Sequence, residues 1–129
     1  MDSAIEKAKR SLEGLSVGDA FGQLFFRLSP HRTLPSDLPP GPWRWTDDTH
    51  MALSVVETLA TCGRIEQDVL ARAFARRYAE EPFRGYGGGA RQLLQAMANG
   101  GNWREWSPRL FGCGSYGNGA AMRVAPLGG

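Results

Sequence analysis

The sequence has little that could cross-link it, anchor it or give it one dominant charge. Its 129 residues include two cysteines, Cys62 and Cys113, too far apart for a zinc or redox motif. No apolar run is long enough to span a bilayer, nothing resembles a signal peptide, and there is no Asn-x-Ser/Thr acceptor. A reducing, cytoplasmic setting is therefore expected. Net charge is +2, with Lys and Arg scattered among acids, so no basic block marks a nucleic-acid partner. No segment alternates as a strand does, and no internal repeat is present. Three common catalytic signatures are missing too. A nucleophile elbow needs Gly two residues before the serine, and Cys113 stands there before Ser115. No His follows Cys113 to act as its base, and no lysine follows the glycines as a phosphate-binding P-loop requires.

Glycine, by contrast, is abundant at 17 residues and clusters at particular places. The chain is long enough for one modest domain. Ser3-Ala4-Ile5-Glu6 has the form of a capping box and opens a helix running to about Phe26. Ile5, Ala8, Leu12, Leu15 and Val17 supply its apolar face. Gly14, Gly18 and Gly22 recur every four residues along one side, which predicts close approach of another helix or a ligand. Asp19 lies among them and, if buried, needs hydrogen-bond partners. Ser29 to Pro42 carries five prolines and cannot be regular helix. It is expected to form an ordered loop with His31 facing solvent, delivering Trp43 and Trp45.

Further helices are expected at about Asp47–Thr61, ending near Gly63, and at about Glu66–Glu80, ended by Pro82. Val69, Leu70, Ala73, Phe74 and Tyr78 form the core stripe of the latter. Arg84-Gly85-Tyr86-Gly87-Gly88-Gly89 leads into a helix at about Ala90–Ala98, closed by Asn99-Gly100-Gly101. That glycine turn is either a plain connector or a set of backbone N–H groups for an anion. Trp103 to Leu110 reads as a short turn, and Ala120 to Ala125 as helical.

Chemistry concentrates in Trp45-Thr46-Asp47-Asp48-Thr49, at a helix start. Thr46 and Asp47 are N-cap types. At a first turn, Thr46, Asp47 and Asp48 can all point off the helix end and offer hard oxygen ligands suited to Mg²⁺ or Ca²⁺. The simpler alternative is a capped helix whose acids complement its dipole. His50 is expected on the helix surface or supporting the acids, rather than as a ligand. Near the other end, Gly114-Ser115-Tyr116-Gly117-Asn118-Gly119 lets the main chain approach a ligand while Ser115, Tyr116 and Asn118 add polar groups.

Taken in order, Gly18-Asp19-Ala20-Phe21-Gly22, the Trp45–Thr49 segment, Arg84-Gly85-Tyr86-Gly87 and the Gly114–Gly119 loop running through Arg123 resemble the ADP-ribosylglycohydrolase family. The resemblance implies an all-α, compact multi-helix domain with long Pro/Gly-rich loops and two Mg²⁺ or Mn²⁺ ions in a cleft. It implies a metal-dependent hydrolase cleaving an N- or O-glycosidic bond to ADP-ribose. By position, Thr46, Asp47 and Asp48 match metal ligands, and Asp47 or Asp48 would orient the attacking water. Gly114, Ser115, Tyr116, Gly117 and Asn118 match the ADP-ribose loop, with Arg84, Gly85, Tyr86 and Gly87 lining the same cleft.

Two departures from the family pattern matter. Phe26 stands where many members carry an acid that positions or gates substrate. The family's C-terminal Asp-x-Asp-Thr segment has no counterpart, since no Asp follows Asp68. Residues 1–129 are therefore expected to be the N-terminal part of a single, longer family domain, carrying half the metal site. ADP-ribose or an ADP-ribosylated substrate is the expected ligand, with no nucleic acid or membrane. Either self-association or a complementing C-terminal half would cover its apolar surface. The alternative is a non-catalytic helical module that binds ADP-ribose or a partner without turnover.

Overall fold

A computed structural model describes residues 3–26 and 38–128. It is all-α among those residues, with five α-helices: α1 (Ala4–Gln23), α2 (Asp47–Cys62), α3 (Gln67–Glu80), α4 (Gly88–Ala98) and the single turn α5 (Trp103–Trp106). Short 3₁₀ segments follow at Ser107–Gly112, Ala121–Arg123 and Ala125–Gly128. The expected exposure of His31 and most of the proline loop lie outside the described residues.

Local signals account for most helix ends. The Ser3 hydroxyl accepts the Glu6 N–H at 3.3 Å and starts α1. Gly63, at φ 70°, closes α2 by donating its N–H to the Leu59 carbonyl. α4 begins two residues earlier than its apolar pattern suggests, at Gly88, because the glycine turn itself winds into the first turn. The expected Ala120–Ala125 helix is instead two 3₁₀ pieces. Ala125 directly precedes Pro126, whose ring disfavours the α conformation in the residue before it.

α2 is the central element. It packs against α1 on one side and α3 on the other, α3 packs against α4, and the last 3₁₀ turn lies on α1. The core joins Met51 and Val55 of α2 to Phe74 and Tyr78 of α3, Tyr86 of the glycine turn and Leu94 of α4. Of the predicted α1 face, Ala8 is buried and Ile5, Leu12 and Leu15 are half-buried, but Val17 is 66% exposed. Of the two neighbours expected for the glycine stripe, a helix or a ligand, the helix is not found. A Cβ added at Gly14, Gly18 or Gly22 meets nothing within 4 Å, so among the described residues no helix passes close to the stripe. Gly18 and Gly22 instead border an open cleft.

Candidate functional site

The cleft forms where the start of α2 meets the glycine turn, the middle of α1 and the Ser115–Gly119 loop. It has two connected parts. One, about 630 Å³, lies beside Gly18, Asp19, Gly22, Phe26, Thr46, Asp47 and Asp48. The other, about 370 Å³, lies beside Gly87–Gly89, Phe111 and the Ser115–Gly119 loop. Asp47, Gly87, Asn118 and Met122 border both, so Asp47 stands at their junction.

The α2 start is fixed from another helix. Thr46 occupies the N-cap position but makes no side-chain capping bond of its own, contrary to its sequence signature. Asp19 of α1 takes over that role. Its carboxylate accepts the Thr46 N–H at 2.7 Å, the Thr49 N–H at 3.2 Å, and the Thr46 and Thr49 hydroxyls at 2.6 Å each. Four donors on one carboxylate satisfy its charge and two otherwise free N–H groups of the α2 first turn. With Asp19 capping, Asp47 and Asp48 are free to face the cleft. Gly85, at φ 93°, brings the glycine turn against them: a Cβ there would lie 3.4 Å from Asp47 Oδ1.

These acids are electrostatically crowded. Burial raises the Asp47 pKa, its own backbone amide opposes the rise, and the Asp19 charge adds to it. Burial also raises that of Asp48, helped by the charges of Asp19 and Asp47. Such a pair favours a cation or a proton between them.

A second shelf of aromatic and basic groups supports the site from behind. The Arg84 guanidinium lies 3.8 Å from the centroid of the Trp45 ring, donates to the Trp45 carbonyl at 3.3 Å and pairs with Glu81. Tyr86 is buried, with its hydroxyl 2.7 Å from His50 Nδ1. Burial raises the Tyr86 pKa and lowers that of His50, so a neutral phenol and a neutral imidazole share this hydrogen bond, with the imidazole tautomer setting its direction. His50 is therefore not on the helix surface. Of the four turn residues singled out by sequence, Gly85 and Gly87 border the cleft, while the Arg84 and Tyr86 side chains brace the α2 start.

In the second loop, Ser115, Tyr116, Gly117 and Asn118 all border the smaller chamber. The Ser115 Oγ accepts the Gly117 N–H at 3.1 Å, and Tyr116 is 99% exposed. Gly114, at φ 101°, turns the chain into this loop. Phe26 is 84% exposed at the edge of the larger chamber. Asp19, marked in the sequence only as an acid that needs partners if buried, belongs to the site.

Thr46, Asp47 and Asp48 give only oxygen, which suits Mg²⁺ or Mn²⁺. No group of three or more His, Cys, Asp or Glu side chains able to hold a metal occurs among the described residues. The three side chains suit a hard divalent ion in kind, but among the described residues they do not make up a complete ligand set.

A profile of the ADP-ribosylglycohydrolase family matches residues 1–129. The chain is 30% identical to ADP-ribosylhydrolase ARH3 of Homo sapiens, across 96% of its own length and 39% of that protein. It is 36% identical to ARH3 of Danio rerio, across 95% and 37% respectively. It is 32% identical to the ADP-ribosylarginine hydrolase Tri1 of Pseudomonas putida, across 97% and 36%. The chain thus spans about two fifths of the length of these curated relatives. The segments that meet in the cleft are those carrying the sequence resemblance, and the profile match runs from end to end: the chain belongs to the ADP-ribosylglycohydrolase family.

Proposed function

We propose that this chain supplies the acidic and nucleotide-facing side of a metal-dependent hydrolase that cleaves an N- or O-glycosidic bond to ADP-ribose. The observation that supports this most is Asp47 at the junction of the two chambers, with Asp48 beside it and Asp19 holding both in place. Thr46, Asp47 and Asp48 would hold Mg²⁺ or Mn²⁺ there, two ions in the complete site. When bound, such ions supply Lewis acidity toward ribose hydroxyls and water.

The chain's own residues do the rest. Asp47 or Asp48 accepts a hydrogen bond from the attacking water and orients it. The small chamber takes the nucleotide end of the ligand, where Tyr116 offers an exposed ring and Asn118 both donors and acceptors. The diphosphate reaches backbone N–H groups of the glycine segments rather than a set of cations. Gly114 and Gly85 hold the backbone turns those approaches require. The larger chamber, with Phe26 at its edge, takes the acceptor side. Free thiols at Cys62 and Cys113 suit a cytoplasmic setting. Among the described residues, no helix is long and apolar enough to cross a membrane.

The incomplete ligand set favours a second reading, in which this chain alone binds ADP-ribose without turning it over. Calorimetry with ADP-ribose and AMP, then a release assay with and without a complementing C-terminal segment bearing Asp-x-Asp-Thr, separates the two. We expect tighter binding of ADP-ribose than of AMP, and metal-dependent release only in the complemented protein. Asp48→Asn should abolish that release. Equal affinity for the two nucleotides sinks the nucleotide assignment, and binding without release after complementation leaves the binding module.

A further inference from the structure

Arg123 is the one arginine drawn out of water by packing whose charge no acid answers among the described residues. Its guanidinium sits 4.5 Å from the centroid of the Phe74 ring, and Nη1 is 3.5 Å from Met51 Sδ. Burial lowers its pKa and no neighbouring charge contributes. Other arginines that pack against the fold are answered. Arg76 and Arg77 share Glu57, Arg84 has Glu81, and Arg104 has Asp68. A ring face and a thioether are soft partners for a cation, but they leave its hydrogen-bond donors mostly unused. A partly desolvated charge is stable when an opposite charge completes it.

Arg123 borders the smaller chamber of the cleft and also belongs to the wall of a third cavity, an apolar groove of about 330 Å³ between α3 and α4. Leu70, Phe74, Leu93 and Met97 line it, with Trp103 nearby. Leu70, Leu93 and Met97 are only partly buried. A groove with apolar walls and one unanswered cation has the shape and chemistry for the apolar face of an amphipathic helix carrying one acid. A source for such a helix is at hand. The relatives are far longer than the stretch matched here, with 39% of the human and 37% of the zebrafish protein covered.

We propose that this groove seats an amphipathic helix from the complementing part of the family domain, and that one Asp or Glu of that helix pairs with Arg123. The proposal rests on the reading above that a complementing segment completes the site. Its test reads contact rather than turnover, so the two can fail separately.

Leu93 is replaced by the photo-cross-linker p-benzoylphenylalanine. The chain is co-expressed with the part of the zebrafish relative outside the matched stretch. Irradiation should yield an adduct on a helix of that segment, with an Asp or Glu within one turn of the linked residue. Arg123→Gln should cut the yield at least about fivefold, and Arg123→Lys should restore most of it. Far-UV melts of both variants, run beside, show whether the fold is retained. If Arg123→Gln melts early, the mapped adduct in the Arg123 background decides by itself. An adduct on a second copy of this chain, on a segment without a nearby acid, or none at all overturns the proposal. So does a folded Arg123→Gln variant that weakens ADP-ribose binding while leaving the adduct unchanged, since the missing charge would then be the ligand's.

Discussion

Two helices begin at the same cleft, and their starts are built in opposite ways. The first turn of α2 is held by a carboxylate from α1, through four hydrogen bonds, and then presents two more acids. The first turn of α4 has Gly87 at its N-cap and no side-chain capping bond. One start is rigid, satisfied and negative; the other leaves N–H groups unanswered by side chains and keeps the positive end of its dipole open. A cleft between them offers a place for a cation and a place for an anion within one ligand's length. The α2 start was built by long-range packing, the α4 start by local glycine chemistry.

Removing Asp19 should have the largest effect on that contrast. Asp19→Ala strips the α2 start of its cap and leaves two threonine hydroxyls and two N–H groups without their acceptor. We expect a loss of about 3 kcal/mol in urea unfolding. Asp19→Asn should lose less, since its amide oxygen still accepts some of the four bonds. A change below about 1 kcal/mol for Asp19→Ala would mean that the α2 start does not depend on α1.

Gly85→Ala should come next, at about 1–2 kcal/mol, because φ 93° strains any residue with a Cβ. It should also disturb the acid pair, whose Asp47 Oδ1 would then face a methyl group. Loss of stability without any change in Mn²⁺ affinity would separate the glycine turn from the acids.

Asp48→Asn reverses the usual sign. A carboxyl whose folded pKa is raised is less stable as an anion in the fold than in the unfolded chain. Its ionisation therefore destabilises the metal-free protein as pH rises through that folded pKa. At neutral pH, Asp48→Asn should raise the melting temperature of the metal-free chain and remove any further rise on adding Mn²⁺. A lower melting temperature would indicate that the carboxylate is stabilised by contacts beyond those described.

His50 gives the pH dependence. Its pKa is lowered from 6.5 mainly by burial, so as pH falls below 6.5 the unfolded chain takes up the proton first. Stability contributed by neutral His50 should be lost progressively from pH 6.5 down through its folded value. His50→Gln keeps an acceptor for Tyr86 and should flatten that part of the melting-temperature profile; an unchanged slope would assign it to other groups. The smallest effect belongs to the open start. Gly87→Asp adds a cap to α4 and should gain only a few tenths of a kcal/mol, yet weaken ADP-ribose binding by placing a charge where the ligand's anion is expected.

Much of this arrangement is legible without coordinates because its causes are local. Gly63 and Pro82 end helices through their own backbone properties, and the 3.6-residue stripe of α3 marks its buried face. The all-α class, the helix order and the segments that carry polar chemistry follow from such local causes. What the sequence could not determine is which side chain answers which across the fold. Thr46 has the signature of a cap but is capped by Asp19, 27 residues away. Arg84 and Tyr86 sit in a cleft-lining motif, yet their side chains reach Trp45 and His50, 39 and 36 residues back, and brace the acids from behind. Helix ends depend on a few neighbouring torsions, whereas the direction and partner of a side chain depend on how α1, α2 and the glycine turn pack. Only the tertiary structure decides that.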